Sequence, residues 1–88
     1  MLNRNYRETH AFQMDKNDLG LLLHQLRVSK GLTVRQLGDD SGVSFYMISN
    51  IESGKSSPSF FTISRIFNSI GLSVAEAYSM IENPDRIS

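Results

Sequence analysis

Apolar residues recur at three- and four-residue spacing in successive stretches of the chain, and residues that commonly cap helices stand at the starts of these stretches. The first stretch begins after Asp15 and ends at Gly31. Such spacing puts apolar side chains on one face of an α-helix, and an acidic residue in the first turn complements the helix dipole. Leu21 falls outside this apolar stripe and leaves leucine surface exposed; the stripe itself is formed by Leu19, Leu22, Leu23 and Leu26.

Two shorter helices are predicted next, from Val34 to about Ser41 and from Ser44 to Ser53. Thr33 and Gln36 have the three-residue spacing of a capping box at the start of the first helix. The second helix begins with a serine, whose hydroxyl is a preferred N-cap. Gly42 lies between the two helices, where a glycine supplies the backbone freedom that a sharp turn needs. Two short helices that meet at such a turn have the outline of a helix-turn-helix.

Two further helices complete the pattern. A fourth helix is predicted after Ser59, and a fifth opens at the capping box formed by Ser73 and Glu76 and stops before Pro84. No stretch has the strict alternation of a half-buried strand. The sequence therefore predicts an all-α fold, a compact bundle of about five short helices. The fourth helix carries an apolar face that we expect in the core, made of Phe60, Ile63, Ile66, Phe67 and Ile70.

The 88 residues have the length of one domain. We expect a helical domain over residues 15–82, an N-terminal arm over residues 1–14 and a C-terminal tail over residues 83–88. The arm shows no sustained periodicity. It is either a disordered end or a cloning remnant, or it is an arm that binds DNA or a partner protein.

The residue types exclude several classes of function. Without any cysteine, the chain can form neither a disulfide framework nor a thiolate metal site. His10 and His24 have no cysteine or carboxylate at ligand spacing, so we interpret them as surface histidines rather than metal ligands. No nucleophile paired with a base and no glycine-rich phosphate loop is visible. The sequence therefore predicts a protein that is not an enzyme and that uses no metal and no cofactor.

The apolar clusters also bear on cellular location. The longest of them is far shorter than the roughly 18 residues that a membrane span needs. No basic leader with a cleavable apolar stretch is evident, and the lack of cysteine fits a reducing compartment. We expect a cytoplasmic protein that makes no contact with a membrane.

The charge balance is unusual for a protein that binds nucleic acid, because the nine basic residues are balanced by nine acidic ones and the formal net charge is zero. Their distribution is uneven. Between His24 and Arg65 the basic residues outnumber the acidic ones, whereas acidic residues dominate after Arg65. A mildly positive face around the two short central helices is therefore expected.

The stretch from Leu19 to Leu72 resembles the lambda-repressor-like (Xre-type, Cro-like) helix-turn-helix family of DNA-binding proteins. It contains LGLLLHQLRVSKGLTVRQLG, DDSGVSFYMISNIESGK and SSPSFFTISRIFNSIGL in that order. The matching positions are Leu23, Leu26, Arg27, Gly31, Leu32, Thr33, Gly42, Val43, Ser44, Ile48, Ser49, Ile51, Glu52, Gly54, Lys55, Pro58, Ile70 and Gly71.

This resemblance implies that the segment from Ser44 to Ser53 is a recognition helix that enters the major groove. It also implies a largely buried ion pair, Arg27 with Glu52, that joins the first helix to the recognition helix. Two departures stand out: Val34 replaces a glutamine that contacts a phosphate in the family, and Phe45 and Tyr46 replace residues that are usually polar.

Candidate contacts with DNA follow from these positions. Outward-facing side chains of the recognition helix are expected to contact bases, namely Ser44, Phe45, Tyr46, Ser49 and Asn50. Residues at the start of the preceding helix, in the recognition helix and in the loop after it are expected to contact phosphates, namely Thr33, Arg35, Gln36, Met47, Lys55 and Ser56.

Each group has an alternative interpretation. Phe45, Tyr46 and Met47 either pack on thymine methyl groups in the groove or form an apolar patch for a protein partner. Asn50 either pairs with adenine or is an ordinary solvated residue. Lys55 and the serines after it either contact phosphates or form a plain surface turn.

The leading hypothesis from the sequence is a sequence-specific transcriptional regulator, a repressor that binds an inverted-repeat operator in double-stranded DNA as a homodimer. The alternative is a protein-interaction module, such as an antitoxin or a phage or plasmid regulator, whose apolar surface binds a toxin or another regulator.

Overall fold

The computed structural model describes residues 15–83, and within that range the chain forms five α-helices and no strand. Most of the predicted arm and tail, residues 1–14 and 84–88, lies outside the described residues. The all-α prediction is confirmed. The helices are α1 (Lys16–Ser29), α2 (Val34–Ser41), α3 (Phe45–Glu52), α4 (Phe60–Ser69) and α5 (Val74–Glu82).

Every one of these helices begins at a side chain that accepts hydrogen bonds from backbone N–H groups of the first turn. Both predicted capping boxes are present: Thr33 with Gln36 at α2, and Ser73 with Glu76 at α5. Such caps satisfy N–H groups that have no partner within the helix. The five capping residues are Asp15, Thr33, Ser44, Ser59 and Ser73.

The core lies between all five helices. Helix α3 packs against α1 and α2, α4 packs against α2, and α5 packs against α4 and α1. The largest fully buried side chain is Phe67. Removing its apolar surface from water stabilises the fold. The buried apolar residues are Leu19, Leu22, Leu23, Leu37, Ile48, Ile51, Ile63, Ile66, Phe67, Ile70, Val74 and Ala77.

The prediction that Phe60 belongs to the core face of α4 is wrong, because this residue is 54% exposed. It is the first residue of the helix. Side chains of a helix lean toward its N-terminus, so that of Phe60 extends beyond the first turn of α4 and keeps much of its surface in water. The periodicity was right for the other four positions of that face.

Two kinds of feature are absent from residues 15–83. None of the helices there is long and apolar enough to cross a membrane. In the same range, no group of three or more histidine and acidic side chains could hold a metal ion.

Candidate nucleic-acid interface

The turn between α2 and α3 is sharp because Gly42 adopts the left-handed backbone conformation, with φ 74°. Its N–H donates to the carbonyl oxygen of Gly38 at 2.9 Å and closes the last turn of α2. The N–H of Val43 then donates to the Ser41 hydroxyl at 3.2 Å. Ser44 caps α3 immediately afterwards. The two helices are thus joined by three residues, which is the helix-turn-helix geometry.

Two buried glycines inside helices bring the neighbouring helices unusually close to this motif. A Cβ atom on Gly20 in α1 would collide with the carbonyl oxygen of Ile51 and lie 2.7 Å from that of Glu52. A Cβ atom on Gly38 in α2 would lie 2.9 Å from the carbonyl oxygen of Val43. Helix α3 is therefore held against the backbone of α1 at one end and that of α2 at the other.

An ion pair connects α1 to the last residue of α3. Arg27 donates from Nε to Glu52 Oε2 at 2.6 Å and from Nη2 to Oε1 at 3.0 Å. The two side chains keep only 12% and 10% of their surface exposed. Arg27 also donates from Nη1 to the carbonyl oxygen of Leu32 at 2.7 Å. One guanidinium group thereby fixes the α1–α2 loop and the C-terminal end of α3 relative to α1.

The surroundings of Glu52 lower the pKa of its carboxyl group below the ordinary value of 4.5. Burial acts in the opposite direction and is the largest single effect, but the hydrogen bonds from Arg27 and His24 and the positive charges together outweigh it. His24 Nδ1 lies 3.0 Å from Glu52 Oε1. The folded protein therefore favours the ionised carboxylate more strongly than the unfolded chain does.

This shift predicts how the stability depends on pH. Because the folded-state pKa of Glu52 is lowered, its contribution is present above the unfolded pKa and is lost as the pH falls through the folded pKa. We expect acidification below about pH 4.5 to destabilise the wild type more than the Glu52→Gln variant. Urea unfolding at pH 7, 5, 4 and 3 measures this difference. Parallel losses in the two proteins would contradict it.

Arg65 is a further residue of the motif that the sequence did not reveal. It lies on α4, and its Nε donates to the carbonyl oxygen of Ser41 at 3.2 Å. Its guanidinium carbon is 5.5 Å from the centre of the Phe61 ring. A Cβ atom on Gly42 would collide with Arg65 Nη2. Arg65 thus covers the turn and attaches the end of α2 to α4, a contact between residues 24 positions apart that no local pattern indicates.

Four of the five residues that were expected to contact bases are exposed, on the outward face of α3 or at the N-cap Ser44 just before it. Phe45 is 45% exposed and Tyr46 is 71% exposed, and both serines of the set are exposed as well. Asn50 is half-buried rather than fully solvated. The opposite face of α3 is anchored by Ile48 and Ile51, which are 0% and 1% exposed. One side of α3 is therefore fixed in the core, and the other side is free to contact another molecule.

The residues expected to contact phosphates differ in how many of their polar groups already form hydrogen bonds within the protein. Thr33 and Gln36 accept each other's backbone N–H groups in the capping box, which leaves the hydroxyl and amide hydrogens to donate elsewhere. Lys55 is exposed in the loop that follows α3. The N–H of Met47 donates to Ser44, and its sulfur accepts from the hydroxyl of Ser56 at 3.7 Å. The N–H group and the sulfur of Met47 are thus both engaged within the protein.

Comparison with known proteins places this arrangement in a family. The helix-turn-helix family HTH_3 matches residues 23–77. The chain is 36% identical over 67 residues to the HTH-type transcriptional regulator PuuR of Escherichia coli (strain K12), a match that covers 76% of this chain and 36% of PuuR. The chain therefore spans about a third of the length of this curated relative.

Similar solved structures belong to transcriptional regulators as well. An HTH_3 family transcriptional regulator from Vibrio cholerae superimposes with a TM-score of 0.71 at 31% identity, over 88% of this chain and 42% of that one. The clp gene regulator ClgR from C. glutamicum superimposes with a TM-score of 0.72 at 29% identity, over 78% of this chain and 88% of that one. The chain belongs to the helix-turn-helix family HTH_3.

Proposed function

We propose that the protein is a sequence-specific repressor that binds an inverted-repeat operator as a homodimer and inserts α3 into the major groove. The observation that carries this proposal is the two-sided character of α3. Its inner side is held by buried isoleucines, by the Arg27–Glu52 ion pair and by the close approach of Gly20. Its outer side presents exposed polar and aromatic groups. A rigid helix with an uncommitted outer face has the form of a groove-reading element.

Within this proposal, Ser44, Phe45, Tyr46, Ser49 and Asn50 contact base edges and thymine methyl groups. The capping groups of α2 and the loop after α3 contact the backbone, because short hydroxyl, amide and ammonium groups at helix ends commonly bind phosphates. These phosphate contacts come from Thr33, Gln36, Lys55 and Ser56, and Met47 supports the loop through its sulfur.

A homodimer follows from the size of the contact surface. One recognition helix reaches too few base pairs for useful selectivity, and two copies related by a twofold axis read an inverted repeat. We assign the contact between copies to α5. Its outer surface carries a groove of about 440 Å³ whose lining is mainly apolar and includes Leu72, Ala75 and Met80. Contacts between identical subunits are on average more apolar than the rest of a protein surface.

Selection from randomised double-stranded DNA tests the proposal. The protein is expected to enrich one palindromic motif, and sedimentation is expected to show two copies on each selected duplex. Transcription in vitro from a promoter that overlaps this motif should then fall as protein is added. A folded protein that enriches no motif would contradict sequence-specific binding, and one copy per duplex would contradict the dimer.

The exposed aromatic groups also support a second candidate function, in which the protein binds a partner such as a toxin or another regulator. Phe61 is 67% exposed on α4, and Tyr46 is 71% exposed on α3. Large exposed aromatic side chains are enriched where proteins bind one another. The two functions are separable, because Tyr46→Ala should weaken DNA binding in the first case and capture of the partner in the second.

Asn50→Ala is expected to weaken operator binding by about 1–3 kcal/mol and to relax the preference at one base pair of each half-site, because a carboxamide pairs with the N6 and N7 groups of adenine. The melting temperature should change little, since the hydrophobic anchors of α3 stay in place. Fluorescence anisotropy with the selected operator and its single-base variants measures both effects. Asn68→Ala, at an exposed asparagine on α4, is the matched control. Unchanged base preference in Asn50→Ala would contradict the contact.

A further inference from the structure

Arg35 and Phe45 stand together at the outer end of the motif. Arg35 is the second residue of α2, and Phe45 is the first residue of α3. The guanidinium carbon of Arg35 lies 4.4 Å from the centre of the Phe45 ring, well within the roughly 6 Å over which a cation is attracted to an aromatic face. Both side chains are exposed. The contact therefore sits on the surface that α3 presents to DNA.

The backbone beneath this contact is fixed on both sides. The capping box holds the first turn of α2, and Ser44 caps α3 just before Phe45. The lack of a side chain at Gly38 lets α2 approach closely, since a Cβ atom there would lie only 3.2 Å from the Phe45 nitrogen. The ring and the guanidinium group are thus brought together by the packing of the two helices.

The stacked guanidinium keeps its hydrogen-bonding edge available. Among residues 15–83, Arg35 forms no ion pair, and the structure gives it no hydrogen bond to another side chain. A ring covers one face of a guanidinium but none of the five N–H groups in its plane. An arginine side chain ordinarily gives up considerable rotamer freedom when it binds. The ring of Phe45 removes part of that freedom beforehand.

We infer that Arg35 and Phe45 act as one unit that recognises two adjacent base pairs, in which Phe45 contacts a thymine methyl group and positions Arg35 for the N7 and O6 atoms of a neighbouring guanine. The inference rests on the proposed function of α3. Arginine with guanine and phenylalanine with thymine methyl are matched pairs in the major groove. The guanidinium carbon and the ring centre lie only 4.4 Å apart, so the two groups can contact neighbouring rather than distant base pairs.

This assignment gives Arg35 a base contact in place of the phosphate contact expected from the sequence. A phosphate can be bound by the point charge of a lysine as well as by an arginine. A guanine edge needs the planar fork of the guanidinium group, which a ring holds in one orientation. A groove of about 350 Å³, bordered by Gly42, Val43 and Ser44, lies beside the pair and leaves room for base edges.

A double-mutant cycle on the full chain tests the inference, with the operator first selected by the wild type. Arg35→Ala and Phe45→Leu are each expected to weaken binding by about tenfold, and the double variant should bind no more than about twofold weaker than Arg35→Ala alone. Tyr46→Leu is the matched control. Within the described part of the chain no arginine stacks on this exposed aromatic ring, so its effect should multiply with that of Arg35→Ala.

Modified operators separate the two halves of the unit. Replacing one guanine by 7-deazaguanine should weaken the wild type by about tenfold and leave Arg35→Ala unaffected, whereas replacing the neighbouring thymine by uracil should affect the wild type but not Phe45→Ala, which has lost the apolar contact. Thermal melts establish that each variant is folded.

Three results would overturn the inference. Multiplying effects of Arg35→Ala and Phe45→Leu would show that the residues act independently. Wild-type affinity in Arg35→Lys, with an unchanged response to 7-deazaguanine, would show that Arg35 contacts a phosphate. A folded wild type that enriches no motif would remove the proposed function together with the inference, and this outcome is distinct from the first two.

Discussion

Replacing Arg27 by methionine is expected to lower the free energy of unfolding by about 3 kcal/mol, the lower end of the range for breaking a buried ion pair, since each side chain keeps about a tenth of its surface in water. Methionine fills much of the same volume but offers no N–H group. Glu52 is left as a largely buried carboxylate, and the carbonyl oxygen of Leu32 loses its donor. The melting temperature should fall by roughly 12–24 °C for a domain of this size.

The double variant Arg27→Met/Glu52→Leu is expected to recover much of the lost free energy of unfolding, because it replaces the buried carboxylate of Glu52 with apolar surface. Recovery should stop short of the wild type by about 1 kcal/mol, the usual net value of the hydrogen bond to Leu32 that neither substitution restores. Urea unfolding of the three proteins measures both changes. If Arg27→Met unfolds at the same urea concentration as the wild type, the pair contributes nothing to the fold.

Gly20→Ala is expected to destabilise the protein by about 3 kcal/mol, toward the upper end of the range for overpacked sites. Alanine favours a helix over glycine by about 1 kcal/mol, so a purely local view predicts a gain. The new methyl group, however, would meet the carbonyl oxygens of Ile51 and Glu52. These are backbone atoms at the end of α3 and cannot rotate away, so α1 and α3 must separate.

Leu21→Ala is the matched control for this substitution. Leu21 follows Gly20 in the same helix, but its side chain is 57% exposed and lies outside the core, so the variant should unfold within about 0.5 kcal/mol of the wild type. Thermal and urea unfolding compare the two variants directly. A Gly20→Ala protein as stable as the wild type would show that the helices are farther apart than the structure indicates.

The fold was predictable because its signals are local. Capping residues and apolar spacing lie within a few positions of each other, and the boundaries of α2 follow from Thr33, Gln36 and Gly42 alone. The outward face of α3 was predictable for the same reason, since Ile48 and Ile51 fix which side of the helix is buried. Local spacing therefore located the helix-turn-helix and its exposed surface.

The contacts that join distant segments could not be predicted in this way. No spacing indicates that Arg65 bonds to Ser41, or that the guanidinium of Arg35 lies over the ring of Phe45. These depend on how α2, α3 and α4 are oriented after packing. A weaker signal did exist for Gly20, because a glycine inside an otherwise helical stretch lowers helix stability and commonly has a packing reason.

The capping side chains also bear on how fast the chain reaches its native state. Each helix carries its own hydrogen-bond acceptor at its N-terminal end, so the first turn of each can form before any other segment arrives. Helical proteins whose contacts are mostly between neighbours in sequence refold on the microsecond-to-millisecond scale. A newly synthesised copy would therefore expose its apolar faces only briefly, which limits the time available for aggregation.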